Sequence, residues 1–233
     1  MISTAPLWLG IFFVFSTFLC LYLSFRFFQS SHLTRQYAFK ISGVLLIWLI
    51  LQAILTSKGV YSDDPTAFPP KIVIFSILPT VLFILTLFIV PKLRNAIFSF
   101  SLSSLVMLNV VRIPVEISLL YLYLNGLVPQ IMTFEGRNFD IIAGITAPIL
   151  AYYYVKGKNS KWSILWHVLC LALLINIVYI AILSSPTPMQ KFGFEQPNIA
   201  IVQFPYSWLP SFIVPMVLFT HLASIFNLSK SRR

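Results

Sequence analysis

The sequence predicts an all-α, polytopic membrane protein. It reads as one domain over residues 1–233, a bundle of seven transmembrane helices with the N-terminus outside and the C-terminus cytoplasmic. Three observations carry that prediction. Hydrophobic residues are 58% of the chain and charged residues 9%, against roughly 45–50% and about 25% in a soluble domain. Seven apolar stretches approach or exceed the ~20 residues that cross a bilayer. Basic residues are confined largely to alternate connections between those stretches. With only 16 Lys/Arg and 6 Asp/Glu, the chain could not cover a soluble surface, which excludes a soluble enzyme, a secreted disulfide scaffold and a disordered regulator.

The spans fall at about 5–25, 41–56, 71–91, 97–126, 138–155, 162–184 and 204–228. The first has no Lys or Arg before Arg26 and an apolar run too long for a signal peptide, so it is expected to stay as a helix. The second is the shortest. The fourth is long enough to tilt or to project. Connections on one side are short, and the one at about 92–96 reads as a tight turn. The longer connections, about 57–70, 127–137 and 185–203, carry turn signals such as Ser62-Asp63-Asp64-Pro65 and Ser185-Pro186-Thr187-Pro188. Spans 1–3 and 5–7 show no residue correspondence that would mark an internal repeat.

Charge sets the orientation. The short connections and the tail carry eleven Lys or Arg, including Arg35, Lys92, Arg94 and Lys156, and no Asp or Glu. The long connections carry Lys58, Lys71, Arg137 and Lys191 against five acidic residues. The basic side is therefore cytoplasmic, and the expected location is the plasma (inner) membrane. The high pI marks contact with the lipid bilayer rather than nucleic acid, because loops this short cannot form a folded basic surface.

The sharpest polar feature is Asn109-x-x-Arg112-x-Pro114-x-Glu116 in the fourth span. At 100° per residue, Asn109, Arg112, Glu116 and Tyr123 fall within about 60° of one another. A charge in the hydrocarbon costs ~2.5–3.5 kcal/mol even on the lenient insertion scale. The four-residue spacing lets Arg112 and Glu116 meet. The stripe reads as a binding or coupling site beside a wet cavity that opens outward, or as an ion pair that fixes helix packing. Pro114 has no N–H for the Val110 carbonyl, which offers the stripe a further acceptor.

The segment Phe134-Glu135-Gly136-Arg137-Asn138-Phe139-Asp140 precedes the fifth span. Asn138 or Asp140 can cap that helix. Glu135, Arg137 and Asp140 are candidates for the mouth over the stripe, or for a solvated loop. Asn176 of the sixth span is a further candidate for the central cluster. Gln52 and Thr146 suit either that cluster or simple interhelical hydrogen bonds.

His167 and His221 lie at matched depth, to within about 3 Å by helical rise. A haem or metal between them is one reading. Separate hydrogen-bonded histidines are the other and the stronger, because that side has no carboxylate ligand and no HxxxH pair. No metal and no cofactor are expected. The chain also lacks a P-loop, a Rossmann glycine pattern, HExxH and GxSxG. It has no lysine deep in the seventh span for a retinal Schiff base. Cys20 and Cys170 both sit in apolar runs and form no framework.

These features point first to transport or permeation of a small solute or ion. A membrane-embedded enzyme acting on a lipid or using a metal or haem near the cytoplasmic side, and a sensory or scaffold protein, are the alternatives. The sequence does not fix oligomeric state.

Overall fold

In lipid, each backbone N–H must find its acceptor within its own segment, so apolar stretches of this length fold as helices. A computed structural model describes residues 5–64, 67–157 and 161–230, the last range without the side chain of Lys161. Pro65 of the predicted turn and Lys158, Arg232 and Arg233 of the charge count lie outside the described residues. Among the described residues the fold is all-α, without strands.

The helices are α1 (Leu7–Ser30), α2 (Ala38–Ser57), α3 (Val73–Ile89), α4 (Pro91–Phe98), α5 (Leu102–Leu124), α6 (Asp140–Val155), α7 (Lys161–Leu183) and α8 (Leu209–Lys230). Five of them, α1, α2, α5, α7 and α8, are long and apolar enough to cross a membrane. A sixth candidate is the pair α3 and α4, bent by 85° at Val90. Helix α6 has 16 residues, about 24 Å of rise, which is short of a ~30 Å hydrocarbon core. The protein is thus a membrane-embedded helical bundle of five to six candidate spans. Its outward surface fits that setting: Phe15 is 70% exposed, Ile47 67% and Phe83 59%.

One connection departs from expectation. The residues predicted as a tight turn form α4, an amphipathic helix with Pro91 at its first position. Proline there forfeits no hydrogen bond. Lys92 and Arg94 are exposed on it, while Ile97 is buried.

Two helices are central. Over their apolar stretches α5 and α8 are 61% buried, against 33% for α1, 28% for α7 and 17% for α2. Helix α5 packs against α1, α6 and α8. The α5–α6 crossing is close because of Gly144, where a Cβ would lie 2.8 Å from Ile113 Cγ1 and 3.3 Å from the Asn109 carbonyl oxygen. Arg112 and Glu116 therefore sit on one of the two helices best shielded from lipid. At the basic end, Phe27, Phe100 and Phe219 join α1, the start of α5 and α8, with ring centroids 5.2–6.3 Å apart.

Prolines shape the bundle, and α2 answers two of them. Pro79 has no N–H for the Phe75 carbonyl, and Gln52 Nε2 donates to that oxygen at 3.2 Å. Pro215 leaves the Ser211 carbonyl in the same position, and Trp48 Nε1 donates to it at 3.0 Å. Both prolines follow π-helical segments, Val73–Ile77 and Leu209–Ile213, which touch each other. Trp48 and Gln52 are four residues apart, so one face of α2 serves both neighbours.

Candidate functional site

The polar stripe of α5 is buried: Arg112 is 3% exposed and Glu116 2%. Pro114 interrupts the α-helical ladder, and a 3-10 segment at Leu108–Val111 directly precedes Arg112. The two charges do not pair with each other. Arg112 Nη2 lies 3.3 Å from Asp140 Oδ2 and 3.3 Å from the Cys170 carbonyl oxygen. Glu116 instead accepts at both oxygens from Asn138 Nδ2, each at 2.7 Å. The expected i,i+4 ion pair is replaced because α6 delivers a carboxylate at its first residue, in reach of the guanidinium.

The loop before α6 is folded inward at two points. Asn138 is fully buried, and its Nδ2 also reaches the Met132 carbonyl at 3.0 Å. Its Oδ1 accepts the N–H of Asp140 at 3.1 Å. The N-cap position is Phe139 rather than Asn138 or Asp140, but Asn138 bonds the first N–H of the helix and also grips Glu116. Gly136 permits the fold, since a Cβ there would lie 2.3 Å from the Gln130 carbonyl oxygen.

Between Arg112, Glu116 and Asp140 lies a cavity of about 40 Å³, walled otherwise by aliphatic side chains of α5, α7 and α8. Among the described residues, Arg112 Nε and Nη1 and Asp140 Oδ1 have no hydrogen-bond partner. The sequence predicts an outward-opening cavity at this stripe; the space found beside it among the described residues is small. The loop reaches the cluster through Asn138.

The other predicted site residues separate from this cluster. Asn109 is buried, but its Nδ2 turns back to the Val106 carbonyl at 3.1 Å. Tyr123 packs on the hydrophobic core, and its carbonyl accepts from Gln196 Nε2 at 2.7 Å. Glu135 and Arg137 are exposed on the loop. Asn176 is exposed and donates to the Arg137 carbonyl at 2.9 Å. It ties the loop to α7 instead of entering the core, because the inward face of α7 is the one carrying Cys170, Leu174 and Ile177.

That same face carries His167, three residues from Cys170. On α8, His221 follows the cavity residue Val217 by four. The histidines therefore lie about one helical turn beyond the cavity, towards the basic end. Both are fully buried, and they are in contact: Nδ1 to Nδ1 is 3.1 Å. His167 Nε2 is 3.3 Å from the Tyr154 hydroxyl, which shares a hydrogen bond with Ser163. His221 Nε2 has no partner among the described residues. No group of three His, Cys, Asp or Glu that could hold a metal ion occurs among the described residues. The matched depth was visible in the sequence; the contact was not.

Buried polar groups thus run from Asn138 near one end of α6 to Tyr154 near the other. The order is Asn138–Glu116, the cavity with Arg112–Asp140, then His221–His167–Tyr154–Ser163.

No curated protein and no solved structure matches the chain. A family model described as a domain of unknown function (DUF8737) matches residues 69–229, a stretch that holds every residue of this buried series, and the chain belongs to that family.

Proposed function

We propose that this protein moves protons, or a small ion coupled to a proton, across the membrane as a seven-pass protein of the plasma (inner) membrane. In this reading α3 and α6 complete the crossings, the N-terminus is outside, and the basic end is cytoplasmic. The observation that carries the reading is the way the two imidazoles are connected. Each ring is joined to the other through Nδ1. His167 presents Nε2 to Tyr154, and His221 has Nε2 left over on the remaining side. A proton accepted at one nitrogen of an imidazole can be released from the other, so two rings in this arrangement form a relay.

The acid cluster supplies the entry. One guanidinium and two carboxylates share a space of about 40 Å³. Arginine stays charged, so the three groups are neutral when they hold one proton and carry −1 when they hold none. Burying net charge costs several kcal/mol, which gives the cluster a use for one exchangeable proton. Glu116, gripped by Asn138 below the loop, takes the proton. The cavity passes it to Asp140 Oδ1. His221 accepts at Nε2 and releases from Nδ1 to His167, which releases from Nε2 to the Tyr154 oxygen as the phenol gives its own proton to the Ser163 hydroxyl oxygen, which passes its own on towards the basic end. Arg112 holds Asp140 in place and balances its charge.

The test is His221→Phe in vesicles that enclose a pH-sensitive dye. The aromatic replacement keeps the packing and removes both nitrogens, so proton movement should fall to the level of protein-free vesicles. Transport unchanged in that variant would exclude the relay.

A further inference from the structure

A second cavity has no part in this series. It is an apolar groove of about 500 Å³ between α2, α3, α4 and α8. Helix α2 leans on α1 and on the start of α8, whereas α3 leans on α4 and α8, and the groove lies between them. Its walls are aliphatic and aromatic, among them Leu45, Phe83, Leu87 and Phe219. The few polar side chains in the wall are mostly engaged at home. Thr34 Oγ1 donates to the Phe28 carbonyl at 2.7 Å, Thr80 Oγ1 to the Ile77 carbonyl at 2.8 Å, and Trp48 Nε1 to the Ser211 carbonyl. Such a wall offers a ligand dispersion contacts and little else.

The length and position of the groove narrow the ligand. On α2 it runs from Ile41 to Trp48, on α3 from Pro79 to Leu87, and on α8 from Ser211 to Phe219, about 10–12 Å along each helix. Trp48 is ten residues into α2, about 15 Å, which is half of a ~30 Å hydrocarbon core. The groove therefore spans one leaflet. At one end of the groove the bond from Trp48 to Ser211 joins α2 to the π-helical segment of α8. At the basic end it is lined by Thr34, Leu93 and Ala96. There Arg35, Lys92 and Arg94, neighbours of those rim residues in sequence, are exposed, on a side whose connections hold no Asp or Glu.

We propose that the groove is a binding site for an anionic phospholipid of the basic-side leaflet. One acyl chain lies along α2 and α3, and the phosphate is held by Arg35, Lys92 and Arg94. Amphipathic α4 forms the rim and presents Leu93 to the chain and its two cations to the headgroup.

The experiment uses the full chain in phosphatidylcholine vesicles containing a minor fraction of phosphatidylglycerol. Brominated acyl chains, which quench tryptophan on contact, are carried by one lipid at a time. Trp48 lines the groove, so the difference between the wild type and Trp48→Phe isolates its signal. At equal mole fraction, brominated phosphatidylglycerol should quench that signal far more than brominated phosphatidylcholine. Lys92→Gln and Arg94→Gln, both exposed and safe for folding, should each lower the preference about fivefold, the usual worth of one cation at an anionic surface. Ala96→Phe at the rim should remove the quenching by both lipids. Equal quenching by the two lipids would mean ordinary boundary lipid and would overturn the proposal. Quenching by a brominated fatty acid but not by phosphatidylglycerol would assign the groove to another amphiphile and overturn it equally.

Discussion

At the scale of single residues, the pairing in the cluster predicts which substitution harms most. Arg112 has its anionic partner in Asp140, 3.3 Å away. Asp140→Asn leaves the buried guanidinium without a carboxylate in direct contact, and loss of one partner of a buried pair costs about 3–5 kcal/mol. Glu116→Gln keeps an oxygen for Asn138 and removes a charge that Arg112 does not touch directly. Unfolding in detergent should show Asp140→Asn as the larger loss, with Arg112→Met restoring part of it in the double variant. Equal losses would mean that Glu116 shares the pair. The sequence carried the stripe plainly, because Arg112 and Glu116 lie on one helix face and charges in hydrocarbon must face protein. It pointed to Asp140 as a candidate as well. The pairing was hidden, since residues 28 apart in the chain meet only after α6 has folded back. Asn138 was legible only as a helix cap, its local duty, and its grip on Glu116 depends on the inward fold of the loop. Asn176 went astray for a related reason: depth can be counted along a helix, but the rotation of α7 is set by its neighbours.

At the scale of elements, α2 links the proline bends of α3 and α8. Pro79 creates a need at the Phe75 carbonyl, and Gln52 fills it. Replacing Pro79 by Ala returns the backbone N–H and makes Gln52 partly redundant. Gln52→Leu should therefore cost about 1 kcal/mol less in the Pro79→Ala background than in the wild type. Some cost remains in both, because Gln52 Oε1 also accepts from the Tyr61 hydroxyl at 2.5 Å. A double-mutant cycle by thermal unfolding in detergent reads this coupling, and zero coupling would mean that the carbonyl is satisfied without Gln52. The prolines were plain in the sequence, and so was each carbonyl they leave. Which side chain answers them was not, because Gln52 fits a central cluster equally well by composition. The bend before α4 was half legible. Pro91 marks a break, and the two cations beside Leu93, Ala96 and Ile97 make an interfacial helix as reasonable as a turn.

At the scale of the whole molecule, composition and charge decide most of what can be read without coordinates. The apolar content requires a membrane, and the segregation of basic residues implies an orientation. The number of crossings is less accessible, since α6 is only 16 residues long and α3 turns by 85° into α4. Reporter fusions should place residues 60–64 and 190–197 outside and residues 155–157 inside; a cytoplasmic signal from the 190–197 loop would reverse the orientation. The function rests on the buried series itself, and one measurement addresses it directly. The protein is placed in vesicles with an internal pH dye, and a potassium gradient with valinomycin sets the lumen negative. The wild type should acidify the lumen faster than protein-free vesicles do. Glu116→Gln, with the loop and its bond to Asn138 intact, should fall to the protein-free rate, while Glu135→Gln and Arg137→Gln at the exposed loop should retain the wild-type rate. A wild-type rate no greater than that of protein-free vesicles, or a Glu116→Gln variant as fast as the wild type, would contradict a proton pathway through this cluster.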